Sequence, residues 1–344
     1  TREFLQGGPS KNRPPELLKG LANGDGDGMP KAGRRHPRVG PAVMTALLIL
    51  GLSWAFFNHG FPTSWGRDET LGQKEFVMVD SHGQIITATG RIVNRGDEYI
   101  DEQNRHWRVY ATKGYTAWAQ SLGVIDLNQY IQALDTEIAR AQKQRVLAAP
   151  PVNPKGRVGI YHSHNDESYV PTDGTSSIYG PGGIHKVGDA FEQALWARNI
   201  TTVRSQSLHL PHDRGAYVRS RRTAAWIVQS IPDAVFDIHR DATPAYVYEG
   251  SVNGTPVTKI NIVVGQQNVN RAQTQRIAAG LKSVSDSIYP GLVKGIFIAR
   301  GNYNQDLYPT ALLLEVGAHT NDRLAAERGI GYFADVVDRY LYGP

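Results

Sequence analysis

Three short motifs hold most of the side chains able to bind a metal or move a proton. They are His162-Ser-His164-Asn-Asp-Glu167, Asp237-Ile-His239-Arg240-Asp241 and Leu314-Glu315-Val-Gly317. Each lies at the end of an apolar run that reads as a strand. The chain has eleven histidines and no cysteine, which excludes a thiol nucleophile and any Cys-based zinc finger. A metal must then be held by His and carboxylates. His164 and Glu167 have the His-x-x-Glu spacing, short enough for both to reach one ion from a strand-to-loop turn, and His239 can join them from another strand. A His₂Glu set leaves one position of a tetrahedral zinc for water, and bound zinc lowers the pKa of that water to about 7 and polarises a carbonyl.

Such chemistry also needs a general base. Glu315 follows the apolar run Ala311-Leu-Leu-Leu314, where packing has no use for a carboxylate, so it is the candidate. Its bland role is as partner to Arg240 or another buried cation. A lone histidine at a strand end is usually structural, and His162 or His185 competes for a place among the ligands. No Gly-x-Ser-x-Gly elbow is present for a serine nucleophile. A carboxylate pair for glycoside hydrolysis leaves the histidines unexplained.

The elements that must position these groups follow from periodicity. From residue 157 strand and helix alternate: strands at 158–162, 200–203, 234–239, 295–298 and 311–316, and helices at 187–197, 216–231, 270–288 and 323–341. Segments 245–249 and 257–264 pair across the turn at Asn253-Gly254. This alternation predicts an α/β domain over 157–344 with a mostly parallel central sheet flanked by helices. In open sheets of this kind ligands sit beyond the carboxyl ends of the strands. Residues 75–113 read instead as short alternating segments separated by turns, among them an exposed Arg95-Gly96-Asp97, and predict a small β-rich domain. Residues 114–156 read as a helical connector, with Leu127, Tyr130, Ile131, Leu134 and Ile138 at helical spacing, ending in the Pro-rich boundary Ala149-Pro-Pro151.

The formal net charge is +5. Eight of the 37 Lys and Arg lie in residues 1–38 against four of the 32 Asp and Glu, and beyond that tail the two signs nearly balance. A basic groove for nucleic acid is therefore disfavoured. The tail, 1–38, is expected to be cytoplasmic. It precedes an uncharged span at 39–58, long enough as a helix to cross a bilayer core of roughly 30 Å, and a linker at 59–74. Arg34, Arg35 and Arg38 before the span orient it with residues beyond about 60 outside. The expected localisation is thus the cell membrane, single-pass, with the catalytic domain extracytoplasmic. A cleaved signal peptide fits less well, because Trp54, Phe56 and Phe57 stand where small residues should precede cleavage.

Five motifs in order carry a family resemblance. They are Tyr161-His-Ser-His-Asn-Asp-Glu-Ser-Tyr169, Asp237-Ile-His-Arg-Asp241, Tyr289-Pro-Gly-Leu-Val-Lys-Gly295, Tyr303-Asn-Gln-Asp-Leu307 and Leu313-Leu-Glu-Val-Gly317. Together they resemble the stage II sporulation protein P family, closely over 157–341 and more loosely at Gly96-Asp-Glu-Tyr-Ile100, Arg108-Val-Tyr110 and the expected anchor. The resemblance implies a zinc amidase-like fold and zinc-dependent N-acetylmuramoyl-L-alanine amidase activity on peptidoglycan, with endopeptidase activity on peptide cross-links, during spore engulfment at the septal membrane. It implies sporulation protein D and M homologues as partners. Metal roles carry over to His164, Glu167 and His239, and the base role to Glu315. Arg240 and Asn304 are the expected substrate-binding residues. Ser163 stands where Thr is common in the family, and His185 ahead of the first helix leaves the second ligand open. Two other classes compete: a zinc carboxypeptidase, with Arg240 or Arg300 clamping a terminal carboxylate, and a non-catalytic wall-binding module. Burying an unused carboxylate at Glu315 costs free energy and argues against the last.

Overall fold

A computed structural model describes residues 74–144, 156–213 and 215–343, with side chains left aside at 142–144. The described chain begins with strands β1 (Phe76–Val79), β2 (Ile85–Thr89), β3 (Glu98–Ile100), β4 (Arg105–Lys113) and β5 (Thr116–Val124), then helix α1 (Leu127–Gln144). β6 (Arg157–Tyr161) is followed by the single turn α2 (Val170–Asp173), helix α3 (Ile184–Trp196), β7 (Thr201–Arg204), helix α4 (Ala216–Val228) and β8 (Ala234–Asp241). A hairpin of β9 (Glu249–Val252) and β10 (Thr255–Thr258) leads into β11 (Ile260–Gly265). Helix α5 (Arg271–Ile288), β12 (Val293–Ala299), β13 (Ala311–Ala318) and helix α6 (Arg323–Tyr342) complete it.

All the strands but the hairpin form one sheet, in the order β2-β1-β5-β4-β3-β12-β11-β13-β8-β6-β7. The sheet is mixed, which corrects the expectation of a mostly parallel one. β7, β6, β8 and β13 run parallel, but β11 is antiparallel to β13, and β12-β3, β3-β4 and β4-β5 are antiparallel. The cause lies in the connections. Parallel neighbours need a long crossover, usually helical, and β6, β7 and β8 have one in α3 and α4. β11 is instead entered from the short hairpin, whose turn places Asn253 at φ 51° and Gly254 at φ 80°. The link from β12 to β13 holds only a 3₁₀ turn at Gln305–Leu307. The hairpin also differs from expectation: β9 pairs with β10, while 260–265, buried at every position, joins the main sheet. Residues 245–247 form a 3₁₀ turn.

The β-rich segment is continuous with the α/β portion, because β3 adds directly to β12. β5 falls where a helical connector was expected, and α1 begins at Leu127. Nor is the 95–97 turn exposed at Asp97. Its carboxylate is buried and accepts the backbone N–H of Asn94 at 2.7 Å and of Arg300 at 2.9 Å.

Strand side chains alternate between faces. Phe236, Ile238, Leu312, Leu314 and Val316 pack in one apolar cluster with residues of α3, α5 and α6. Val235 and Ala311 pack on the other side with Ala224 and Ile227 of α4, and Leu313 packs with Tyr99, Trp107 and Val109 of the β-rich segment. By parity Asp237, His239 and Glu315 share this second face. Close packing there depends on Gly159, where a Cβ would stand 2.4 Å from Ile227 Cγ2.

Among the described residues no helix is long and apolar enough to cross a membrane. The expected span at 39–58 and the basic tail lie outside the described residues. The single-pass cell-membrane localisation is accordingly withdrawn.

Candidate metal centre

The loop after β6 turns His162-Ser-His-Asn-Asp-Glu167 over the carboxyl end of the sheet. Ser163 N–H donates to Asp237 Oδ1 at 2.8 Å, pinning the loop to β8. At its far end Ile184 N–H donates to Glu167 O at 3.0 Å. Gly182 lets the two segments approach, since a Cβ there would stand 2.2 Å from Glu167 O.

His164, Glu167 and His239 converge, all buried, with one potential ligand atom from each within 4.8 Å of the others. His164 Nδ1 lies 3.4 Å and His239 Nδ1 3.5 Å from Glu167 Oε1. A tetrahedral ion with bonds of about 2.0–2.1 Å has ligand-to-ligand edges of roughly 3.3–3.4 Å, so the two separations from Glu167 suit zinc, as does the N₂O donor set. Second contacts hold two of the three. His239 Nε2 faces Asp237 Oδ1 at 3.0 Å and Ser163 Oγ at 2.8 Å, which places a ring proton on Nε2 and turns Nδ1 toward Glu167, where it could serve a metal. Glu167 Oε2 accepts Arg240 N–H at 2.9 Å.

The site draws positive charge. Burial alone favours a neutral His239 ring, yet Asp237 and then Glu167 outweigh it and hold its pKa well above the ordinary histidine value. A cation at Nδ1 meets Glu167, with Asp237 across the ring at Nε2. His162 and His185 behave in the opposite way. Burial, then the neighbouring His185, pushes His162 well below the usual range, and burial, then Arg204, takes His185 down to about 4. Their rings lie 4.7 Å apart, and His162 Nδ1 bonds Ile238 O at 2.9 Å. Among the described residues neither joins the three-residue group.

Glu315 stands opposite His239 in the β13-β8 register. It is 1% exposed, and Arg91 Nη2 donates to its Oε1 at 2.5 Å. Burial raises its pKa to about 7, against the pull of Arg91. Arg240 is buried against the ligand loop, with Nη1 3.5 Å from Glu167 Oε1 and Nη2 donating to Ser176 O at 3.0 Å. Asn304, in left-handed backbone at φ 57°, donates from Nδ2 to Tyr217 O at 3.0 Å and Ser220 Oγ at 3.2 Å. Arg300 is exposed.

Residues 102–338, more than half of the chain, match the family described as stage II sporulation protein P. The chain belongs to the stage II sporulation protein P family. It is 31% identical over 234 residues to stage II sporulation protein P of Bacillus subtilis strain 168, covering 62% of this chain and 57% of that relative. The chain thus spans little more than half the length of the curated relative it matches. Solved structures with a similar fold include the N-acetylmuramyl-L-alanine amidase Ami1 of Mycobacterium abscessus, at 16% identity and TM-score 0.37, covering 55% of this chain and 97% of that one. An N-acetylmuramoyl-L-alanine amidase of Clostridium difficile 630 is similar at 17% identity and TM-score 0.34, covering 55% and 98%.

In this member of the stage II sporulation protein P family, sequence reasoning missed several residues around the centre. Asp237 was legible, since two positions before His239 on a strand is the same face. Arg91 carried no signal, being 224 positions from Glu315. His212, stacked 4.1 Å from His164, and Tyr217, 5.1 Å from the same ring, lie outside every motif.

Proposed function

We propose that this chain is a zinc-dependent peptidoglycan hydrolase of sporulation that cleaves the amide between N-acetylmuramic acid and the L-alanine of the stem peptide. The observation that carries this reading is the buried His164, Glu167 and His239 group, with His239 backed by Asp237 and Glu315 in register beside it. Membership of the stage II sporulation protein P family supports it. His164, Glu167 and His239 would hold the ion. When bound, zinc supplies Lewis acidity toward the scissile carbonyl and acidifies water.

The remaining work falls to the chain's own groups. Asp237 and Ser163 fix the His239 tautomer. The Arg240 backbone N–H and guanidinium hold Glu167 in place. Glu315, buried and with a pKa raised to about 7, would take a proton from water and return it to the leaving amine, oriented by Arg91. A base whose pKa lies near the working pH suits both transfers. Cleavage of peptide cross-links, action during spore engulfment, and partnership with sporulation protein D and M homologues belong to the same proposal.

Arg240 is engaged with the loop that carries Glu167, which supports the amidase reading over a carboxypeptidase that uses this residue as its carboxylate clamp. The test is digestion of purified sacculi with zinc-loaded protein, followed by mass spectrometry of the products. Free stem peptides are expected from the wild type. Glu315→Gln should keep its zinc and lose about 10²–10⁴-fold in rate. Shortened stems would show a carboxypeptidase, absence of product a binding module, and loss of zinc from Glu315→Gln a ligand in place of a base.

A further inference from the structure

A cavity lies between β2, β3, β12 and the 3₁₀ turn at 245–247. Its volume is about 180 Å³, and Ile86, Thr87, Tyr99, Tyr246, Val247 and Lys294 contribute to its wall. Lys294 is the unusual member. It is 6% exposed, and its ammonium bonds Thr87 Oγ1 at 3.2 Å and sits 4.2 Å from the centre of the Tyr248 ring. An ammonium has three donors, and one hydrogen bond with one aromatic face leaves the third unused. The two acids on the cavity wall have other partners. Asp101 accepts from Arg105 Nε at 2.7 Å and Trp107 Nε1 at 2.9 Å, and Glu102 accepts from Lys259 Nζ at 2.7 Å. Among the described residues no carboxylate lies in ion-pair contact with Lys294.

Asp241, Glu102 and Glu315 act on Lys294 only from beyond contact distance, so a buried cation with no carboxylate touching it, on a cavity wall, has room for a small anion as its direct partner. One ammonium beside acids that are already paired suits a monoanion better than a phosphate. Ile86, Val247 and the 65%-exposed Tyr246 give an otherwise polar cavity one apolar side, which suits an organic anion. The cavity also adjoins the metal centre through the chain. Thr87 precedes by four residues Arg91, the partner of Glu315, and the Tyr248 hydroxyl donates at 2.9 Å to Asp241, two residues beyond His239. We propose that this cavity binds the terminal carboxylate of a peptide, with Lys294 as its ion partner. The choice of a wall peptide as the natural ligand rests on the peptidoglycan reading above; the carboxylate site itself does not.

Isothermal titration of the full chain tests it with three probes: N-acetyl-alanyl-alanine, the same dipeptide with an amidated C-terminus, and acetate. The free acid should bind, and the amide should bind at least tenfold more weakly. Lys294→Met should weaken the acid by about ten- to a hundredfold, the scale of a hydrogen bond to a charged group. Tyr246→Ala alters an exposed wall residue and should weaken the dipeptide while leaving acetate unchanged. Equal binding of acid and amide overturns the proposal, as does undiminished binding by a folded Lys294→Met. Acetate binding as tightly as the dipeptide overturns the peptide assignment. Should Lys294→Met not fold, the acid–amide comparison and Tyr246→Ala still decide. If the acid binds selectively while sacculi yield no free stem peptide, the hydrolase reading fails and the site stands; the converse pair of results removes the site alone.

Discussion

Asp237 touches no metal in the proposed scheme, yet its replacement should weaken zinc binding by a calculable amount. Its carboxylate accepts the Ser163 backbone N–H at 2.8 Å and the Ser163 hydroxyl at 2.7 Å, and faces His239 Nε2 at 3.0 Å. Burial alone raises this carboxyl's pKa, but His239 and then Ser163 outweigh it and leave the pKa below the ordinary aspartate value. Asp237→Asn keeps the shape and one acceptor oxygen but removes the charge. A hydrogen bond to a charged group contributes about 1.5–3 kcal/mol and a neutral one about 0.5–1.5, so the His239 contact weakens by roughly 1.5 kcal/mol, or about tenfold in affinity. The new amide N–H₂ also faces the Ser163 hydroxyl, which must then reverse its donation. The loss should therefore fall between about 10- and 100-fold, the range for a partner behind a ligating histidine. Competition for zinc with a chromophoric chelator measures it, and unfolding curves confirm the fold. Unchanged affinity would refute the role of Asp237 in setting the tautomer. A loss as complete as that of His239→Ala would make Asp237 itself a ligand.

Two further outcomes concern buried charge. Arg91→Met leaves Glu315 buried without its ion partner and should cost about 3–5 kcal/mol of stability in urea unfolding of the metal-free protein. With Arg91 gone the Glu315 pKa rises further, so the cost should shrink as pH falls and protonates the carboxyl, and the double variant Arg91→Met/Glu315→Gln should recover most of the loss. Lys294 has its pKa lowered from 10.5 to about 8, burial being the main cause. Between those values the unfolded chain binds more protons than the folded one, so stability should rise with pH from about 8 to 10.5, by on the order of 3 kcal/mol. Unfolding followed across that range should show a slope that Lys294→Met flattens.

What could be read from the sequence was set by distance along the chain. His164 and Glu167 sit on one turn, Asp237 and His239 on one face of one strand, and Glu315 at the end of an apolar run; short-range periodicity finds all of these. The helices at α3 to α6 were visible for the same reason. Strand direction was not. Buried parallel and antiparallel strands read alike when both faces are covered, and Ile260–Gly265 is buried throughout, so only the length of its connections distinguishes the two. Asp97 read as a turn residue because Gly96 precedes it, and nothing local reveals that Arg300 N–H caps its carboxylate from 203 positions away.

The same limit explains why 75–113 read as a domain apart. Its local pattern is that of a small β unit, but its role is defined by contacts across the sheet. β3 continues the sheet from β12. Gly90 N–H donates at 2.7 Å to Asp241, which ends the strand that carries His239. Arg91 pairs with Glu315 at 2.5 Å. The last two contacts join the β-rich segment directly to the strands that bear His239 and Glu315. Without the segment Glu315 would lose its contact with Arg91, and Asp241 would lose its backbone donor from Gly90. The cation in direct contact with Glu315 therefore comes from outside the α/β portion. A site assembled in this way requires the β-rich segment for its electrostatics, even though every proposed ligand and the proposed base lie beyond residue 157.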